Sequence, residues 1–254
     1  MSDQFHTSLS THDEESITVR DRTLSTEIMG EMEFSGAVYL LMRGQEPTDG
    51  EQRVVSAILS SLMVHGVTPH AIAARLTYLS EPTSLQGAVA SGLAGVGSRF
   101  AGAMEGCSRD LQSVVGTENR TEAIEDLISA YQSRGEPFAG IGHPHFDPID
   151  PRAKTLFALA DEEDITGEHT DALHEIQAAF EQETGYDLPI NVTGAIAAVT
   201  ADMGFSPEAA RGFAVISRAT GLVAEVLDEQ ASPMATNIWQ HVDNNATYLG
   251  DLER

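Results

Sequence analysis

Apolar positions along this chain recur mostly three and four residues apart, the period of helices laid on a core. Ala37, Leu40 and Leu41 share a face of a segment that starts near Ser35 and ends at Pro47 and Gly50. Val54, Val55, Ile58, Leu59, Leu62 and Met63 form the next stripe, and Pro69 opens a helix carrying Ile72, Ala73 and Leu76. Residues 121–133 and 166–184 predict amphipathic acidic helices, the second with Leu173, Ile176 and Phe180 on its apolar side. Ala195 to Thr200, Pro207 to Ala214 and Ile216 to Leu227 predict three more. Ile17-Thr18-Val19 is a lone β-like run, read as a hairpin edge, and residues 1–15 predict a frayed, solvated start. No strand is rich enough to build a sheet, so the pattern predicts an all-α fold.

Residues 85–107 are dominated by glycine and alanine, among them Gly87, Gly92, Gly95, Gly97 and Gly102. Each glycine costs about 1 kcal/mol relative to alanine inside a helix. So many predict a close approach of backbones, in a tight helix pair or at a subunit interface.

At 254 residues the chain can hold one large core or two unequal domains. No apolar run reaches the roughly 18 residues of a membrane span. The polar start lacks a secretory pattern, which predicts a cytoplasmic protein. Cys107 is the single cysteine and lies among small residues, so inert packing is expected of it. The formal net charge is −25, and Lys154 is the only lysine. Self-repulsion on this scale is screened at molar salt, where the Debye length falls to about 3 Å. A salt-accumulating cytoplasm is therefore expected. With no basic stripe to neutralise phosphates, binding to nucleic acid or to anionic membranes is not expected.

Three segments set histidine or arginine beside helix breakers. They are Val64-His65-Gly66-Val67-Thr68-Pro69, then Gly140-Ile141-Gly142-His143 running on to Asp150-Pro151-Arg152, then Leu188-Pro189-Ile190-Asn191-Val192-Thr193-Gly194. Glycine and proline fix the backbone where a polar side chain must be aimed. His143, His145 and Asp147 match no zinc spacing, so no metal is expected. Arg218 lies among Ala214, Val215, Ile216 and Ala219 and needs an anion. That anion is either a structural carboxylate or a carboxylate ligand.

In combination these segments resemble the citrate synthase superfamily. The likeness rests on His65 with Arg75 ten residues on, on the G-x-G-H to D-P-R loop, and on Thr193 with Arg218 twenty-five residues later. Within the superfamily, Arg99-Phe100-Ala101-Gly102-Ala103 and Leu188 to Ala198 are similar to citryl-CoA lyases and to the lyase module of ATP-citrate lyase. The resemblance implies a two-domain helical dimer. Residues 1–106 plus 197–254 would form the large domain and 107–196 a small domain that closes over the substrate. It implies retro-Claisen cleavage of citryl-CoA, or of a related 3-hydroxyacyl-CoA, to acetyl-CoA and oxaloacetate. His143 would exchange a proton with the substrate oxygen, His65 would hold that oxygen and a carboxylate, and Arg152 and Arg218 would clamp carboxylates. Gly140, Ile141 and Gly142 would line the CoA site, and the small-residue helix would sit at the dimer interface. No permanently bound cofactor is implied; the CoA thioester is substrate.

The chain departs from the family at four places. Thr193 stands where an aspartate is usual, Phe100 where synthases place a histidine, and Pro144 where an arginine is common; Pro233 to Thr236 lacks the usual arginine. Asp147 and Asp202 are the candidates for a replacement acid. Two readings stand beside the lyase: a synthase condensing acetyl-CoA with oxaloacetate, and a non-catalytic binder of dicarboxylates or CoA.

Overall fold

The computed structural model describes residues 5–146 and 148–249, apart from the side chains of Arg99 and Phe100. Asp147, one of the two candidate acids, and the Phe100 side chain therefore lie outside the described residues. The described residues fall into two compact units.

The first unit runs to Ser61 and resumes over Gly102–Phe213. It opens with a small antiparallel sheet, β1 (Ser10–His12), β2 (Ile17–Val19) and β3 (Arg22–Thr23). The β-run expected at Ile17 is thus present, as the middle strand rather than an edge, and Ser10–His12, expected to be frayed, is an exposed strand paired with it. Ser10, Thr11 and His12 pair with Val19, Thr18 and Ile17. Polar alternation hid the strand because both its faces are wet.

Helices α1 (Phe34–Arg43), α2 (Asp49–Ser61), α5 (Gly102–Val115), α6 (Arg120–Arg134), α7 (Pro151–Glu162), α8 (Glu168–Thr184) and α9 (Val192–Asp202) follow. Helix α9 is the centre: α5, α7 and α8 all pack on it, and Ala195 to Ala201 is buried without a break. A helix apolar on every side must be enclosed in this way. Nearby, Phe205 meets Tyr39 and Phe213 edge-on, with ring centroids 5.2 and 5.1 Å apart.

The second unit comprises Leu62–Ala101 and the residues from Ala214 onward. Helices α3 (Pro69–Ser80) and α4 (Leu85–Phe100) form a close pair, and α11 (Ala235–Asn245) rests on α3. Ala74, Ala88, Leu222 and Val226 make its core, with Tyr78, Val89 and Leu93 against them. The glycines of α4 serve this packing. A Cβ on Gly92 would meet Leu222 at 2.7 Å and the His70 carbonyl at 3.0 Å, and one on Gly95 would touch the His70 Cα at 3.4 Å. Of the two expected roles, the tight helix pair accounts for these two positions.

The two helices predicted over 207–227 are one, α10 (Pro207–Ala231). Val215, between them, belongs to the same helix and is simply exposed.

Candidate functional site

The loop ahead of His143 is built by backbone pairing with the segment before α9. Gly140 and Gly142 have φ of +91° and +85°, which favour glycine. The Gly142 amide donates to the Pro189 carbonyl at 2.7 Å, and the Asn191 amide to the Gly140 carbonyl at 3.0 Å. Ile141 and Ile190 form an antiparallel bridge. Asn191 then acts at both ends. Its Nδ2 donates to the Gly142 carbonyl at 2.7 Å, while its Oδ1 caps α9 by accepting from the Thr193 and Gly194 amides at 2.9 and 3.1 Å. Backbones touch here: a Cβ on Gly140 would lie 2.8 Å from the Gly194 Cα and 2.7 Å from the Cys107 sulfur. Cys107 is buried beneath the loop and desolvation pushes its thiol pKa up, which fits the inert packing expected of it.

Asp150 ties the far end of the loop to the same place. Fully buried, it caps α7 through the Arg152 amide at 3.0 Å and accepts from the Val192 amide at 2.9 Å. It also takes Arg152 Nε at 3.1 Å and Nη2 at 2.9 Å. Burial raises the carboxyl pKa, but the Arg152 guanidinium and the two amides outweigh it and hold the group below the usual aspartate range.

Arg152 is thereby aimed at His143, with Nη2 3.2 Å from Nε2. On the other side of the ring, Nδ1 accepts from the His145 and Phe146 amides, both at 3.1 Å. Two amide donors on Nδ1 make Nε2, the nitrogen beside Arg152, the one that can meet a ligand. Phe146 stacks on the imidazole at 4.4 Å and also carries the Arg152 guanidinium at 5.4 Å. An oxygen placed between Nε2 and Nη2 would meet a guanidinium N–H and an imidazole nitrogen able to exchange a proton, an arrangement suited to a hydroxyl, carbonyl or alkoxide.

Six of the expected site residues, His143, Arg152, Thr193, Gly140, Ile141 and Gly142, are therefore held together. His65 and Arg218 belong to the second unit. His65 is exposed in the loop before α3, next to Gly66 at φ +68°. Thr68 caps α3, accepting from the Ala71 amide, and its Oγ1 lies 2.8 Å from His70 Nε2. His70 is buried. Desolvation, then the nearby Arg218 and His65, lower its pKa to about 4, so it is neutral near pH 7. Arg218 donates to the Met63 carbonyl at 3.3 Å. Met63, Gly66, Thr68, His70, Arg218 and Glu225 surround a tightly packed depression with no room for a water molecule.

Gly221 makes this close approach possible, because a Cβ there would fall 1.8 Å from the Met63 carbonyl oxygen. Gly221→Ala is expected to destabilise the protein by at least the 1–3 kcal/mol or so of an overpacked core. Urea melts of the two forms would check this, and equal midpoints would refute it.

Sequence reading missed Asp150 as the clamp on Arg152, although aspartate before Pro-Arg is a helix-start signal. It also missed His70, which carried no signal beyond lying in the first turn of α3. Asp202 is corrected: it is no acid. It accepts from the Gly167, His169 and Thr170 amides, from Thr170 Oγ1 and from His169 Nδ1. Although burial raises its pKa, these donors hold it down, so at neutral pH it has no proton to give. Its work is to fix the start of α8. Among the described residues, no three His, Cys, Asp or Glu side chains are grouped to hold a metal ion.

Known proteins share this architecture. Residues 8–239 match the family described as citrate synthase, C-terminal domain. The chain belongs to the citrate synthase family. The citrate synthase of Haloferax volcanii is 29% identical over 195 residues, 74% of this chain and 49% of the synthase, so the chain spans about half that relative's length. The citryl-CoA lyase of Hydrogenobacter thermophilus superposes with a TM-score of 0.88 at 32% identity, covering 98% of this chain and 96% of the lyase. The ATP citrate lyase of Methanothrix soehngenii, solved with citrate and coenzyme A, gives 0.83 at 21% identity over all of this chain and 43% of that one, a likeness of fold. The citrate synthase family is one of enzymes, and the fold seen here is its helical fold.

Proposed function

We propose that this family member cleaves citryl-CoA, or a closely related 3-hydroxyacyl-CoA, to acetyl-CoA and oxaloacetate. What supports this over a synthase is the end-to-end match to a citryl-CoA lyase, set against a match to about half of a synthase. The geometry around His143 suits the reaction. The tertiary hydroxyl gives up its proton, the carbon–carbon bond breaks, and the electron pair passes to the thioester enolate, which is then protonated. The nitrogen that exchanges a proton with the substrate oxygen is Nε2, because Nδ1 is taken by two amides. Arg152 steadies that oxygen or a neighbouring carboxylate, and Gly140, Ile141 and Gly142 contribute backbone to the CoA side. In the second unit, His65 and Arg218 are assigned to carboxylate recognition. The reading includes a homodimer, no permanently bound cofactor, and closure of residues 107–196 upon substrate.

The test is citryl-CoA cleavage at molar KCl, with oxaloacetate followed through malate dehydrogenase. Turnover supports the lyase; none, with oxaloacetate still raising the melting temperature, favours a protein that only binds. Thr193 motivates that second reading, since its hydroxyl has no pKa near neutrality. If it is right, Thr193→Asp should raise cleavage by about 10²-fold or more, the worth of a restored acid–base group. An unchanged rate would set that reading aside.

Salt belongs to the same proposal. With a net charge of −25, the chain is expected to melt at rising temperature between 0.1 M and several molar KCl. A melting temperature flat across that range would remove the halophilic assignment. No helix among the described residues is long and apolar enough to cross a membrane.

A further inference from the structure

Resting on the CoA-side role proposed for Gly140, Ile141 and Gly142, we infer that Gln177 is a positioning residue. From α8 it fixes the segment against which that loop is folded.

The loop takes its shape from Leu188 to Asn191. That segment offers the Pro189 carbonyl to the Gly142 amide at 2.7 Å, and its Asn191 amide donates to the Gly140 carbonyl at 3.0 Å. The template is itself irregular chain, so it must be held from outside. Asn191 holds one end, as the cap of α9. At the other end Gln177 Nε2 donates to the Leu188 carbonyl at 2.8 Å. Pro189, between them, has no amide to give. Leu188 also bears on the loop directly, since a Cβ on Gly142 would lie 3.7 Å from its Cδ1.

Helix α8 supports the other arm of the loop as well, but by different means. Phe180 lies three residues beyond Gln177, on the same face, and meets Phe138 edge-on with centroids 6.4 Å apart. The Phe138 ring also packs on Tyr131 at 4.3 Å, and the Tyr131 hydroxyl donates to Asp110 Oδ2 at 2.7 Å. The Phe138 carbonyl accepts from the Ile141 amide at 3.3 Å, which starts the turn into the loop. Packing spread over three rings and a phenol does not hang on one atom. The Leu188 arm does: among the described residues, Gln177 is the donor to its carbonyl. Gln177 is half-buried at the edge of α8, so losing that bond frees the template while the core of the helix stays packed.

The experiment is calorimetric binding of coenzyme A at molar KCl. Gln177→Met keeps the length and removes the donor, and is expected to bind CoA about fivefold more weakly, the worth of one such bond. Gln177→Glu also lacks the donor and should match it. Gln177→Lys restores an N–H donor and should return to within about twofold of the parent. If charge near the CoA phosphates set the affinity instead, Gln177→Met would bind as the parent does and only Gln177→Glu would weaken; that result would overturn the inference. Hydrogen exchange followed by NMR supplies a second reading. In Gln177→Met the Gly142 amide should exchange about fivefold faster, while the Gly194 amide, held by Asn191, keeps the parent's rate. Unchanged exchange at Gly142 would overturn the inference. So would a variant that melts lower with its CoA affinity intact, the mark of a merely structural glutamine. A parent that fails to bind CoA removes the reading of the loop itself, and the inference with it, before any variant is compared.

Discussion

His143→Ala is expected to slow citryl-CoA cleavage by about 10²- to 10⁴-fold, the usual worth of a positioned proton-transfer group. The imidazole is held by two amides on Nδ1, by Phe146 against its face and by Arg152 beside Nε2, so its orientation is settled before substrate arrives. Such preparation is costly to lose, because alanine leaves a hole that water fills without direction. The change should fall mainly on kcat. Arg152 keeps its clamp on Asp150 in the variant, so ground-state recognition by the guanidinium survives. Initial rates at saturating citryl-CoA in molar KCl would measure this. A variant as fast as the parent would move the chemistry away from this loop.

Asp150→Ala is expected to remove about 3–5 kcal/mol of stability, the cost of breaking a buried ion pair from one side. That corresponds to a fall in melting temperature on the order of 10 °C. Four donors converge on the fully buried carboxylate: the amides of Arg152 and Val192, and Nε and Nη2 of Arg152. Removing it uncaps α7, unpins the start of α9 and leaves the guanidinium unsupported beside His143. The acid dependence has a definite sign. The folded pKa lies below the ordinary aspartate value of 3.8, so the stabilisation is complete above that value and is lost as pH falls through the folded pKa. The parent should therefore lose stability on the acid side more steeply than the variant. Parallel stability curves below pH 4 would contradict this account.

The helical fold was legible because most of its helices pair a start signal with a long apolar stripe. Helix α2 shows Val54, Val55, Ile58 and Leu59 buried in the predicted phase, and α3 starts at Pro69 as its sequence suggests. Helix α7 was overlooked because Pro148 and Pro151 made its approach read as loop, although Asp150 and Pro151 are a cap and a first-turn proline. Helix α11 escaped because its buried surface is slight. Trp239 and Val242 are exposed, and the helix is held at its start by Glu229, a contact that periodicity does not encode.

The candidate site divides along the same line. The spacing from His143 to Arg152 is local, so the loop that joins them could be read directly. The pairing of Gly140 with Gly194 and of Gly142 with Asn191 is made across about fifty residues of chain, and no local pattern records it. Asp202 was misread for the opposite reason. A carboxylate in a sequence shows no trace of donors some thirty residues earlier, and those donors decide whether it can carry a proton.

Cys107 gives the protein a built-in reporter. It is the only cysteine, 1% exposed, and its sulfur lies where a Gly140 side chain would otherwise be. A thiol reagent can reach it only when the Gly140 loop lifts from α9 or the surrounding helices part. The labelling rate in the unmodified protein thus counts the openings of the loop that carries His143, and no engineered probe is needed. A molecule that settles on that loop would slow the reaction in proportion to its occupancy. Ligands for this site could be ranked by the clock of a single sulfur, before any turnover is observed.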